Sequence, residues 1–192
     1  MTTKELLQSA RAITQENIDY IQKSIAKLSE NQMNWRPNST VWSVAEILAH
    51  TNQYAHYYHP VFKRKIENTR FTSTKEAFIS SPLGRSAWKS MKLGRLNNVK
   101  RKFKAPKGHN PTTEPSLVKG NEAGQFLLLQ NEFFEVIDLS ETVNLRRVKI
   151  PISISKIIRL RLGDALLFVT YHNQRHVQQI KNLLERRNFP TK

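Results

Sequence analysis

The chain has 192 residues, no cysteine, and 31 Lys and Arg against 15 Asp and Glu, a formal net charge of +16. The length suits one domain, and 39% hydrophobic residues can fill a core, which excludes wholesale disorder. The missing cysteines exclude a disulfide scaffold, a thiolate zinc site and a cysteine nucleophile. With no apolar leader and no bilayer-length apolar run, the chain reads as soluble and cytoplasmic, without a membrane partner.

Thr2-x-x-Glu5 reads as a capping box, with a hydroxyl and a carboxylate closing free amides at a helix start. Leu6, Ala10, Ile13, Ile18, Ile21, Ile25 and Leu28 follow at helical spacing, predicting a helix over about 3–29. Asn34 to Ser39, around Pro37, is a loop anchored by Trp35 and Trp42. A second box, Ser43-x-x-Glu46, opens a helix over about 43–67, with Pro60 kinking or ending it. Ser73-x-x-Glu76 opens a short helix to about Ile79. Pro82 to Gly120 holds four prolines and four glycines and reads as an irregular connection with one helical turn near Trp88–Leu93. Glu122–Leu139 is a third long helix, residues 140–162 are a partly extended connection, and residues 164–187 form a fourth. Four long helices with two long crossovers describe an all-α, single-domain four-helix bundle over 1–192, with a basic irregular crossover at about 82–120.

The charge is concentrated in those crossovers. Residues 83–120 carry +9 and residues 142–163 carry +6, which leaves +1 for the rest. With Trp88 and Phe103 interleaved, the first segment could track a phosphate backbone and stack on bases. The simpler reading is a solvated connection, and a third is attraction of an anionic substrate. On this reading the charge describes the connections and not the histidine site.

His172 and His176 stand four apart in the apolar stripe of the fourth helix, so their imidazoles lie one above the other. His50 lies near the buried side of the second. Three histidines from two helices, with a fourth position open, match a catalytic-type zinc or nickel site, and the alternative is histidines that are merely packed in the bundle core. His56 and His59 fall at the rim or exposed, and His109 in a loop. Arg175, between the two ligands, points to the surface.

Asn34-Trp-Arg-Pro37, Trp42-Ser-Val-Ala-Glu-Ile-Leu-Ala-His50, Gly163-Asp164 and His172-Asn-Gln-Arg-His176-Val-Gln-Gln179 resemble the DinB-like superfamily over nearly the whole chain. The resemblance implies an up-down-down-up four-helix bundle, a zinc or nickel ion held by His50, His172 and His176, and a possible homodimer. Relatives include thiol S-transferases that use bacillithiol or mycothiol and a mycothiol-dependent maleylpyruvate isomerase. The expected function is therefore a metal-dependent transferase or hydrolase acting on a small molecule such as a thiol. The alternative is a nucleic-acid-binding or DNA-damage response module whose metal site is structural.

A thiol transferase needs only a metal-activated thiolate, whereas a hydrolase also needs a general base. Glu46 is the candidate catalytic base, with its capping role as the simpler explanation. Tyr54, Tyr57 and Asn173 are candidate pocket residues, and Gln179 can orient a ligand imidazole.

Overall fold

A computed structural model of the chain describes residues 1–100 and 103–191, and for Lys156 the backbone alone. Arg101 and Lys102 of the basic crossover lie outside the described residues. Four long helices dominate: α1 (Thr3–Tyr20), α3 (Val44–Glu67), α5 (Glu122–Ser140) and α6 (Leu162–Leu184). α1 and α3 each pack against both α5 and α6. Two apolar clusters fill the bundle. One gathers around Leu6, Phe62, Phe133 and Leu166, the other around Ile21, Leu48, Phe126 and Ile180. Each such side chain, fully buried, contributes about 1.5–3 kcal/mol.

Both predicted capping boxes form. Thr2 Oγ1 accepts from the Glu5 amide at 3.0 Å and Ser43 Oγ from the Glu46 amide at 3.2 Å. α3 runs through Pro60 without ending. The first helix stops short of the expected 29. It loosens into a wide-turn segment at Ile21–Ile25, and Ser29 then opens a short helix, α2 (Glu30–Asn34). The reason is a third capping box, Ser29 with Gln32, whose backbone N–H groups and side chains bond reciprocally at 3.0 and 3.3 Å.

The expected helix over 73–79 is absent. That stretch is an extended arm bound to the N-terminus: the Thr3 amide donates to Glu76 O at 2.6 Å and the Phe78 amide to Met1 O at 3.1 Å. Phe78 is buried there against Gly163, whose lack of a side chain admits its ring. The next stretch holds a ten-residue helix in place of a single turn, α4 (Pro82–Met91). Ser81 caps it and proline occupies its first position, where the missing N–H is no loss. α4 packs on α6, with Gly84 set hard against the buried Asp164 side chain.

The second crossover is an antiparallel hairpin, β1 (Lys149–Ile152) and β2 (Ser155–Arg161), in which Lys149 faces Arg161. The chain is mostly helical with this one small sheet among its described residues. None of its described helices is long and apolar enough to cross a membrane.

Candidate metal centre

His50 lies in the second turn of α3, and His172 and His176 lie one turn apart in α6. All three are buried. Their Nε2 atoms converge: His172 Nε2 is 3.3 Å from that of His50 and 3.2 Å from that of His176. Ligand nitrogens held about 2.0–2.1 Å from a tetrahedral zinc ion stand about 3.3 Å apart, so this spacing fits.

The outer nitrogens fix the tautomers of two rings. His50 Nδ1–H donates to the backbone carbonyl of His109. His176 Nδ1–H donates to Gln179 Oε1 at 2.7 Å. Both Nε2 atoms therefore present lone pairs inward. His172 cannot satisfy both. Neutral, it has one proton, and its Nδ1 is buried without a hydrogen bond. The neighbouring Asn173 amide, which acts only weakly on it, is engaged by Gln130 Oε1 at 3.2 Å. Extra protons are disfavoured as well. Burial pushes His50 down to about 4, and burial with mutual repulsion holds His172 and His176 well below the usual histidine range. Three neutral imidazoles converging on one point, two of them with their lone pairs fixed inward, suit a divalent cation, which would take the lone pair of the third once His172 carries its proton on Nδ1. They are a group of described residues that could hold a metal ion, and they are the three histidines singled out in the sequence.

A cavity of about 480 Å³ opens on the triad. Aromatic rings wall it. Tyr54 stacks on His172 with centroids 4.2 Å apart, Phe168 lies 5.8 Å from the same ring, and Trp42 lies 5.0 Å from His50. Trp42 was expected only to anchor its loop. It does so by donating from Nε1 to Thr112 Oγ1 at 2.8 Å, and it also lines the cavity.

Of the cations at this cavity, Lys104 belongs to the basic segment read as a possible attractor of an anionic substrate, and Arg175 and Arg186 were missed. Lys104, Arg175 and Arg186 line it, and no carboxylate does so among the described residues. Arg175 is buried, not at the surface. Its guanidinium lies 5.2 Å from the Phe103 ring centroid. The sequence signal was its position three residues after His172, which places it only about 60° around the helix from that ring. Its step from His176 misled the reading. The first crossover also belongs to the site, since Asn98, Val99 and Phe103–Pro106 line the cavity. The expectation that the charge stands apart from the histidines is therefore corrected.

Glu46 does not line the cavity. Its Oε2 accepts from the Ser43 amide at 2.9 Å and its Oε1 from Arg36 Nη2 at 2.6 Å. Tyr57 bonds Ile152 O at 3.1 Å, away from the triad. His59, expected at the rim, is buried against Phe133, and His56 is exposed as expected. His109 is in a loop, and its ring meets Tyr54 edge-on at 4.6 Å. Trp88 packs against Tyr171 at 5.9 Å.

The model of the DinB superfamily matches residues 13–180. The chain belongs to the DinB superfamily. Among solved structures this DinB-superfamily chain is similar to YfiT from Bacillus subtilis, described as a probable metal-dependent hydrolase with an unusual four-helix bundle topology. The two share 14% identity at a TM-score of 0.60, over 97% of this chain and 90% of YfiT, which is a likeness of fold. No curated protein matches this DinB-superfamily chain in sequence.

Proposed function

We propose that this chain is a metal-dependent enzyme acting on a small anionic molecule, with zinc or nickel held by His50, His172 and His176. The observation that carries the reading is the convergence of three buried Nε2 atoms, two with their tautomers set by outer hydrogen bonds. The ion, when bound, supplies Lewis acidity that lowers the pKa of water or a thiol at its open position. The chain's own residues do the rest. The His109 carbonyl and Gln179 orient two ligands. Trp42, Tyr54 and Phe168 limit water and offer apolar contact to a substrate. Lys104, Arg175 and Arg186 favour a negatively charged one.

The nucleophile is water or a thiol. Hydrolysis is supported by the description of the YfiT structure. Thiol S-transfer is favoured by this cavity, where no described carboxylate stands ready as a base. Asn52 Nδ2 donates to Glu122 O near the starts of α3 and α5, and Lys63 pairs with Glu135 toward their ends, so these two helices run the same way, which supports the up-down-down-up path that the resemblance implies.

Metal analysis of tag-free, full-length protein after exposure to zinc and nickel tests the reading. One divalent ion per chain is expected in the wild type and none in His172→Ala. A wild type that retains no ion overturns it, and so does a His172→Ala variant that still holds one.

A further inference from the structure

A second cavity, of about 520 Å³, shares no lining residue with the first. Its walls come from the extended arm (Lys75, Glu76), the turn before the hairpin (Arg146, Arg147) and the paired strands (Lys149, Arg161). Five cations thus face one carboxylate. None of the five is ion-paired among the described residues.

This charge is held in place. The Asn144 amide donates to Phe71 O at 2.8 Å and its Nδ2 to Ser73 O at 3.2 Å, tying the turn to the arm. Asn144 Oδ1 in turn accepts from the Arg146 and Arg147 amides at 3.0 and 3.2 Å. The Arg147 guanidinium lies 4.7 Å from the Phe71 ring centroid. Arg161 Nη1 donates to Ile79 O at 2.5 Å, while its Nε is buried with no hydrogen-bond partner.

The arrangement is costly as it stands. Lys149 and Arg161 are direct cross-strand partners, and like charges in that position repel. Burial, then Arg161 and Arg147, holds the Lys149 ammonium below the usual lysine range. A multiply charged anion would turn this repulsion into attraction, and the arginine forks suit phosphate oxygens. The volume is that of a small-molecule site.

We propose that the cleft between Lys75, Arg146, Arg147, Lys149 and Arg161 binds a small phosphate-bearing anion of pyrophosphate type, independently of the metal centre. Calorimetric titration of metal-free, full-length protein with sodium pyrophosphate at low salt tests this, metal-free because pyrophosphate would itself chelate an ion. The expected result is saturable binding of one pyrophosphate per chain and a rise in Tm. An Arg146→Gln/Lys149→Gln variant, with its ligand-free Tm unchanged or raised, should bind about tenfold more weakly or worse. If that variant melts below the wild type, Lys75→Gln on the opposite wall should weaken binding about threefold. Lys104→Gln, at the metal cavity, should bind as the wild type does. Absence of saturable binding overturns the proposal, as does wild-type affinity in well-folded Arg146→Gln/Lys149→Gln. An equal loss in Lys104→Gln would put the anion in the metal cavity and also overturn it. A short single-stranded oligonucleotide that pyrophosphate cannot displace would overturn it in favour of a nucleic-acid surface.

Discussion

The two basic crossovers look alike in sequence and are built differently. The first, between α3 and α5, turns inward. Its helix α4 packs on α6, its Thr112 holds Trp42, its His109 carbonyl accepts from the His50 ring, and Lys104 lines the cavity. The second, between α5 and α6, forms a hairpin. It leaves Ile154 at 65% and Ile157 at 91% exposure and gathers Arg146, Arg147, Lys149 and Arg161 at a separate cleft. A run of lysine and arginine thus states how much charge a segment carries. What the segment does depends on the few short-range bonds that attach it.

Acid should separate the two regions most strongly. The first crossover adjoins histidines whose pKa values burial depresses, His50 to about 4 against an ordinary 6.5, and His59 of α3 is lowered for the same reason. The unfolded chain then binds protons that the folded chain does not. The stability these residues contribute is full above about pH 6.5 and falls as the pH drops toward 4. For His50 the loss reaches about 3 kcal/mol below pH 4. Denaturant melts of metal-free protein from pH 7.5 to 4 should show this decline, with a smaller decline in His59→Asn. A flat profile would break the comparison.

Steric substitutions come next. A Cβ at Gly84 would meet the Asp164 side chain, which is fully buried and accepts from Ser81 through Oδ2, so it cannot swing away. Gly84→Ala should therefore lower stability by about 1–3 kcal/mol. Ile157→Ser on the second crossover should stay within about 0.5 kcal/mol. Equal losses in chemical denaturation would mean that the two connections are attached alike.

The smallest expected effect lies in the turn that delivers the His109 carbonyl. Gly108 has φ +81, a left-handed conformation that costs a side chain about 1 kcal/mol. Gly108→Ala should destabilise by about that much and weaken zinc binding by up to about tenfold, read by competition with a chelating dye.

Much of the site was legible because helical periodicity is a local property. The 172/176 spacing in an apolar stripe and the position of His50 near the buried side of its helix turned all three imidazoles inward, and the caps at Thr2 and Ser43 set two helix starts. The failures are tertiary. Ser73-x-x-Glu76 has the letters of a capping box, yet its backbone pairs with the N-terminal residues, and a strand partner so distant in sequence outweighs a weak local signal. The prolines and glycines after 82 suggested irregularity, but Pro82 starts a helix and Gly84 permits its close approach. Lys104 reaches the cavity through the path of a loop, which composition does not encode.

The partner that orients His50 is a main-chain oxygen. The identity of residue 109 is therefore immaterial to that bond, and any side chain there leaves the acceptor in place. What must be preserved is the number of residues and the turn geometry that bring the carbonyl to the ring. Across relatives, selection on this support would act on spacing and insertions within 106–112, and a column-by-column search for invariant residues would pass over it.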